Sequence, residues 1–101
     1  MYRFTRYATL HNAVVVPQAI GWSMELCGYI NKTYKVNLKA GMEMFGAMNI
    51  HWEFEIDSLD RLSELNTKLV SDKTYFAMLE KGKEFWVPGS LKDQIVNFPT
   101  I

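Results

Sequence analysis

His51 and Glu53 stand two apart in a stretch, Asn49 to Ile56, where polar and apolar residues alternate. On a strand such a pair shares one face, with about 7 Å between the backbone positions. Glu43 and Lys39 could join from a paired strand and His11 from the first strand. Two imidazoles and two carboxylates suit a divalent metal or an acid and base pair. The same groups also suit an ion-paired polar lining of a sheet face between subunits. Arg6 raises a second question, because it falls among Tyr2, Phe4, Ala8 and Leu10 at period two. An arginine on an apolar face needs a carboxylate or an anionic ligand, since a stranded charge costs several kcal/mol. It either anchors a carboxylate, phenolate or enolate, or it pairs with an acid or snorkels to solvent from an edge strand.

Trp22, Trp52, Tyr75, Phe76 and Trp86, with Met24, Met42, Met44, Met48 and Met78, make an aromatic and deformable set. Walls of this kind suit a flat apolar ligand, although core packing uses the same residues. Cys27 falls on an apolar helix stripe with no histidine near it in sequence, which reads as packing rather than a nucleophile. No serine has a G-x-S-x-G setting and no glycine-rich phosphate loop precedes a helix.

These residues must be positioned by a chain of 101 residues, 49% hydrophobic and 22% charged. That length suits one domain over 1–101 with a thin core. Eleven basic residues balance eleven acidic ones. A dedicated nucleic-acid binder would show a clustered basic excess, and a disordered chain would show low hydrophobicity with high net charge. No apolar run is long enough to span a membrane and no signal peptide is evident. A single cysteine cannot form an intrachain disulfide, so a cytoplasmic location is expected. Residues 1–50 carry five basic against two acidic residues, and residues 51–101 carry six against nine. Opposite halves of this charge could meet, within one chain or between subunits.

Met1 to His11 alternates as a first strand, with Tyr2, Phe4, Arg6, Ala8 and Leu10 on one face. From Pro17 the period becomes helical, and Ile20, Met24, Cys27, Ile30 and Tyr34 form an apolar stripe with Trp22 away from its centre. Val36 to Phe45 alternates again, Gly46 to Asn49 turns, and Ile50, Trp52, Phe54 and Ile56 mark the clearest strand. Asp57-Ser58 caps a second helix whose stripe is Leu59, Leu62, Leu65, Leu69 and Val70. Ser71-Asp72 interrupts it, Tyr75 to Phe85 continues as helix loosened near Gly82, and Leu91 to Phe98 is the last strand. The order is β-α-β-β-α-β. Right-handed crossovers then place both helices on one face of a four-stranded antiparallel sheet, the ferredoxin-like α+β arrangement.

Three runs carry a family resemblance: Lys68 to Leu79 with its helix-break-helix, Trp52 to Leu59, and Glu84-Phe85-Trp86-Val87-Pro88-Gly89-Ser90. They resemble the dimeric α+β barrel superfamily, in particular small stand-alone bacterial members of unassigned function. The resemblance implies two ferredoxin-like subunits packed sheet to sheet, a homodimer. It also implies activities ranging from cofactor-independent monooxygenases and cyclases to ligand-binding proteins. The monooxygenase pattern places an Asn and a Trp on the third strand facing a pocket. Asn49 and Trp52, three apart, point to opposite faces. The haem-degrading pattern needs a histidine that residues 58–85 lack.

The resulting expectation is a cofactor-independent, monooxygenase- or cyclase-like protein acting on a small aromatic or polyketide-like molecule. Arg6 would hold an oxyanion, Tyr7 or His51 would move a proton, and Trp52, Met42, Tyr75 and Trp22 would bind substrate. No cofactor, metal, nucleic acid or membrane is expected as partner. The alternatives are a non-catalytic ligand-binding or dimerisation module and a metal site at His51 and Glu53.

Overall fold

Alternation over Tyr2–Thr9 becomes strand β1 in the computed structural model, which describes residues 1–99. Thr100 and Ile101 of the expected domain lie outside the described residues. Helix α1 spans Val16–Tyr34, β2 Lys39–Met42, β3 Asn49–Ile56, α2 Leu59–Val70, α3 Lys73–Gly82 and β4 Lys92–Asn97. The sheet order is β2-β3-β1-β4, with every neighbouring pair antiparallel. This is the ferredoxin-like topology, with the second crossover built from α2 and α3 around the break at Ser71-Asp72. No described helix is long and apolar enough to cross a membrane.

The register sorts the two faces of the sheet. Phe4 pairs with Phe54, Arg6 with Trp52 and Ala8 with Ile50, and on the other side of β1 Phe4 meets Ile95 and Arg6 meets Asp93. These residues lie under the helices. The opposite face carries Thr5 against Glu53, Tyr7 against His51 and Thr9 against Asn49, with Gln94 and Lys92 beyond them. β1 is thus an inner strand rather than an edge.

Local signals explain the helix ends. Asn12 accepts from Val14 N at 2.9 Å and starts a short 3-10 turn over Ala13–Val15, after which Pro17 fits the first turn of α1, where no N–H partner is lost. The helix closes on Lys35 in the left-handed region at φ 58°. Asn31 then clasps the returning chain, accepting from Leu38 N at 2.6 Å and donating to Leu38 O at 3.0 Å. Ser58 caps α2 through Arg61 N, as the sequence indicates. β2 is shorter than the expected Val36 to Phe45, because the chain leaves the sheet where Phe45 takes a left-handed φ of 59° and stands 98% exposed.

The face of α1 differs from the expected stripe. Ile20 is 40% exposed and Met24 61%, while Ala19, Trp22, Ser23, Leu26, Cys27 and Ile30 are buried. Small Ala19 and Ser23 let the helix axis approach the sheet, and Trp22 fills the space beside them. Periodicity led by the largest aliphatic residues rotates the helix away from this solution. Val70 and Leu59 are likewise exposed, leaving Leu65 as the buried anchor of α2.

Gly82 is a packing position, not a loose end. A Cβ there would lie 2.4 Å from the Trp22 ring, so α3 and the indole are in direct contact only because glycine stands there. Gly82→Ala gains helix propensity of about 1 kcal/mol, yet overpacking costs about 1–3 kcal/mol. The expected result in a urea melt is net destabilisation, and a more stable variant would contradict the contact.

Asp72 ties α1 to α3. It accepts from Tyr75 N at 3.0 Å as the N-cap of α3, from Tyr29 Oη at 2.6 Å, and from Tyr34 Oη. The Tyr29 and Tyr34 hydroxyls hold its carboxyl below the usual aspartate value of 3.8, and Asp72 in turn pushes the Tyr34 phenol up to about 12. A depressed carboxyl contributes stability above 3.8 that is lost as pH falls through the folded value. A raised phenol contributes below 10.0 and loses its contribution as pH climbs towards about 12. Titrating tyrosinate absorbance should show the Tyr29 and Tyr34 phenols ionising late, Tyr34 at about 12, and Asp72→Asn should move both back towards the ordinary range.

Candidate functional site

After α3 the chain runs beside the end of β1. Val87 N donates to Thr9 O at 2.8 Å, His11 N donates to Phe85 O at 3.1 Å, and Leu10 bridges Trp86. This return brings Trp86 to two tryptophans from other elements. Trp22 of α1 and Trp52 of β3 meet edge to face at 6.1 Å, and Trp86 lies 5.6 Å from Trp22 and 5.8 Å from Trp52. Such aromatic pairs favour tilted contacts, which lock the ring planes. Both buried indole N–H groups have partners: Trp52 Nε1 donates to Ser23 Oγ at 2.9 Å, and Trp22 Nε1 donates to Met78 O at 2.8 Å.

This cluster walls a cavity of about 840 Å³ between the helices and the sheet. Its lining includes Trp22, Trp52, Tyr75 and Trp86, apolar residues of α2 such as Leu62 and Leu65, and Leu91 and Ile95 from the β4 side. The volume falls in the range of small-molecule sites. The aliphatic residues of α2 do not all sink into the core because they border this space. None of the methionines lines it, and Met24 and Met44 are exposed, so the walls are aromatic and leucine-rich rather than methionine-rich.

Arg6 stands in the cavity wall and is paired. Its Nε donates to Asp93 Oδ1 at 2.7 Å and its Nη2 to Asp93 Oδ2 at 2.9 Å. The guanidinium also lies over the Phe4 ring, 5.7 Å from its centre. The Asp93 hydrogen bond holds Arg6 above its ordinary pKa against the opposing effect of burial, with neighbouring Tyr75 adding to the rise. A second pair in the lining joins Lys83 to Glu80. Asp93 was not singled out by sequence. The signal was the one that singled out Arg6: an acid between Leu91 and Ile95 at period two.

The structure therefore brings Arg6, Trp22, Trp52 and Tyr75 to one cavity and leaves Tyr7, His51 and Met42 elsewhere. Tyr7 and His51 lie on the opposite sheet face, stacked at 5.2 Å and nearly parallel. His51 Nε2 bonds Glu43 Oε1 at 2.9 Å, and this bond, with one from Asn49, holds the Glu43 carboxyl below its usual range. Met42 borders a groove at the β2 edge with Lys39, Glu43, His51 and Glu53. Glu53 is turned to Thr5 Oγ1 at 3.5 Å, and His11 is exposed beyond the end of β1. Among the described residues no three His, Cys, Asp or Glu side chains are placed to hold a metal ion. Asn49 and Trp52 take opposite faces, with Asn49 accepting from Thr9 Oγ1 at 2.6 Å. Cys27 is buried and unpaired, and burial pushes its thiol up, which leaves it unreactive.

No protein-family model and no curated protein sequence matches the chain. Solved structures do. A NIPSNAP domain protein from Burkholderia xenovorans is 13% identical at a TM-score of 0.81, over 98% of this chain and 95% of its own. A NIPSNAP family protein of unknown function from Agrobacterium tumefaciens is 19% identical at 0.79, over 95% and 86%. SnoaB, a cofactor-independent oxygenase from Streptomyces nogalater, is 6% identical at 0.70, over 99% and 94%. At these identities the likeness is one of architecture. The chain shares with these structures a ferredoxin-like α+β fold.

Proposed function

We propose that this chain is a self-pairing barrel protein that takes a small aromatic or polyketide-like molecule into the cavity between helices and sheet. It acts there without a bound cofactor, in a monooxygenase- or cyclase-like manner. The observation that carries this reading is the cavity itself. About 840 Å³ is left open beside three mutually packed tryptophans, where a purely structural module would fill the space. Arg6 and Tyr75 supply the polar end, and Trp22 and Trp52 the flat walls. The fold shared with a cofactor-independent oxygenase supports the choice of reaction class by analogy.

The helix-free sheet face would be covered by a second copy. Thr5 and Tyr7 together with His51 and Glu53 would then line the interface, and Tyr7 and His51 would serve pairing rather than proton transfer. Neither nucleic acid nor membrane is a partner in this reading, and the location is cytoplasmic. A second reading, non-catalytic ligand binding, is favoured by one feature: the lining contains no histidine and both its carboxylates are ion-paired.

A thermal-shift screen against divalent metals, haem, flavins, nicotinamides and polycyclic phenols tests the proposal. A ligand at about one hundred times its Kd adds about 2.7 kcal/mol, which moves a domain of this size by more than about ten degrees. A shift with phenols, followed by their change in absorbance in air, supports an enzyme. A shift without turnover supports the binding module, and no shift across the panel contradicts both.

A further inference from the structure

We propose that the cavity selects an uncharged ligand, a flat apolar molecule whose oxygens bind as carbonyl or hydroxyl groups rather than as a carboxylate. The inference rests on the cavity being a ligand site, and it replaces the expected role of Arg6 as an anion anchor. Four charged side chains line the cavity: Arg6, Asp93, Glu80 and Lys83. They form two closed pairs. Asp93 occupies Arg6 through two hydrogen bonds of 2.7 and 2.9 Å, and Glu80 occupies Lys83. The lining therefore presents no net charge.

A carboxylate set against these apolar walls gives up part of its hydration and gains little in return, because the charged groups at the rim are already paired. The guanidinium charge is cancelled at close range by Asp93. The N–H groups that Asp93 leaves free therefore offer hydrogen bonds without the net positive charge that would offset a carboxylate's lost hydration. A neutral oxygen needs no such charge. Arginine carries five N–H donors, and Asp93 engages only two of its nitrogens. The remaining N–H groups can donate to a carbonyl or hydroxyl while the pair stays intact. Trp22 and Trp52 offer ring faces only, since their N–H groups already donate to Met78 O and Ser23 Oγ, and the Tyr75 hydroxyl adds a neutral polar group beside Arg6.

The test is a pair of probes on one ring system, a neutral alcohol and a carboxylate. The full chain is titrated near neutral pH with 9-anthracenemethanol and with 9-anthracenecarboxylate, using quenching of tryptophan emission. The neutral probe should bind at least about tenfold more tightly, a difference of about 1.4 kcal/mol. Asp93→Asn frees Arg6 and should shrink or invert the preference, with Asp93→Ser as a second variant if the first does not fold. Equal or tighter binding of the carboxylate by the unmodified chain overturns the charge preference and leaves the cavity a ligand site. Failure of both probes to bind removes the ligand-site reading itself, and the preference with it.

Discussion

Trp52→Ala is expected to lower the unfolding free energy by about 3–5 kcal/mol, the cost of emptying a large buried aromatic site. Trp52 is only 5% exposed, stands opposite Arg6 in the sheet, and touches both other tryptophans. Its loss removes one corner of a three-ring cluster that joins β3, α1 and the segment after α3. In a domain of this size each kcal/mol moves Tm by about 4–8 °C. The hydrogen bond separates from the packing through Ser23. Ser23 is fully buried and accepts from Trp52 Nε1, so Ser23→Ala leaves a buried indole N–H without a partner. That step should cost about 1–3 kcal/mol. A denaturant melt giving Trp52→Ala the same stability as the parent would show that the cluster does not form.

Leu62→Trp is expected to reduce binding of a polycyclic phenol by about tenfold or more, equivalent to about 1.4 kcal/mol or more. Leu62 lines the cavity from α2 and is half-buried, so a larger ring there occupies space the ligand needs without breaking a packed core. Stability should be unchanged or should rise, because new apolar area is buried in existing space. This pattern, lost binding with kept stability, separates a used cavity from an empty one. A ligand bound on the opposite sheet face would be indifferent to Leu62, and unchanged affinity would point there.

The sequence made the architecture legible because its alternating and helical stretches are separated by strong local punctuation. Ser58 caps α2 where its side chain announces it, Ser71-Asp72 interrupts the helix as its residues indicate, Pro17 sits in the first turn of α1, and β3 alternates without a break. The rotation of α1 was not legible. Ala19 and Ser23 carry little hydrophobic signal, yet their small size is what allows the helix to lie close to the sheet. Gly82 was misread for the same reason, since its value is the absence of a Cβ beneath Trp22. At the site, period two put Arg6 and Trp52 on the helix face. The same rule puts Tyr7 and His51 on the other face, so placing them with Arg6 as catalytic groups beside a substrate wall at Trp52 ran against the strand geometry. The Asp93 partner depends on the pairing of β1 with β4, a contact between residues 87 apart that local pattern does not encode.

In the proposed function the cavity between helices and sheet, and not the open sheet face, receives the ligand. Titrating nitrogen-labelled protein with 9-anthracenemethanol and following the three indole N–H resonances by NMR tests this most directly. Trp22, Trp52 and Trp86 all line the cavity, so their signals should move together and saturate with one affinity, while Tyr7 and His51 stay in place. Stationary indoles, with changes confined to the Tyr7 and His51 face, would contradict the account.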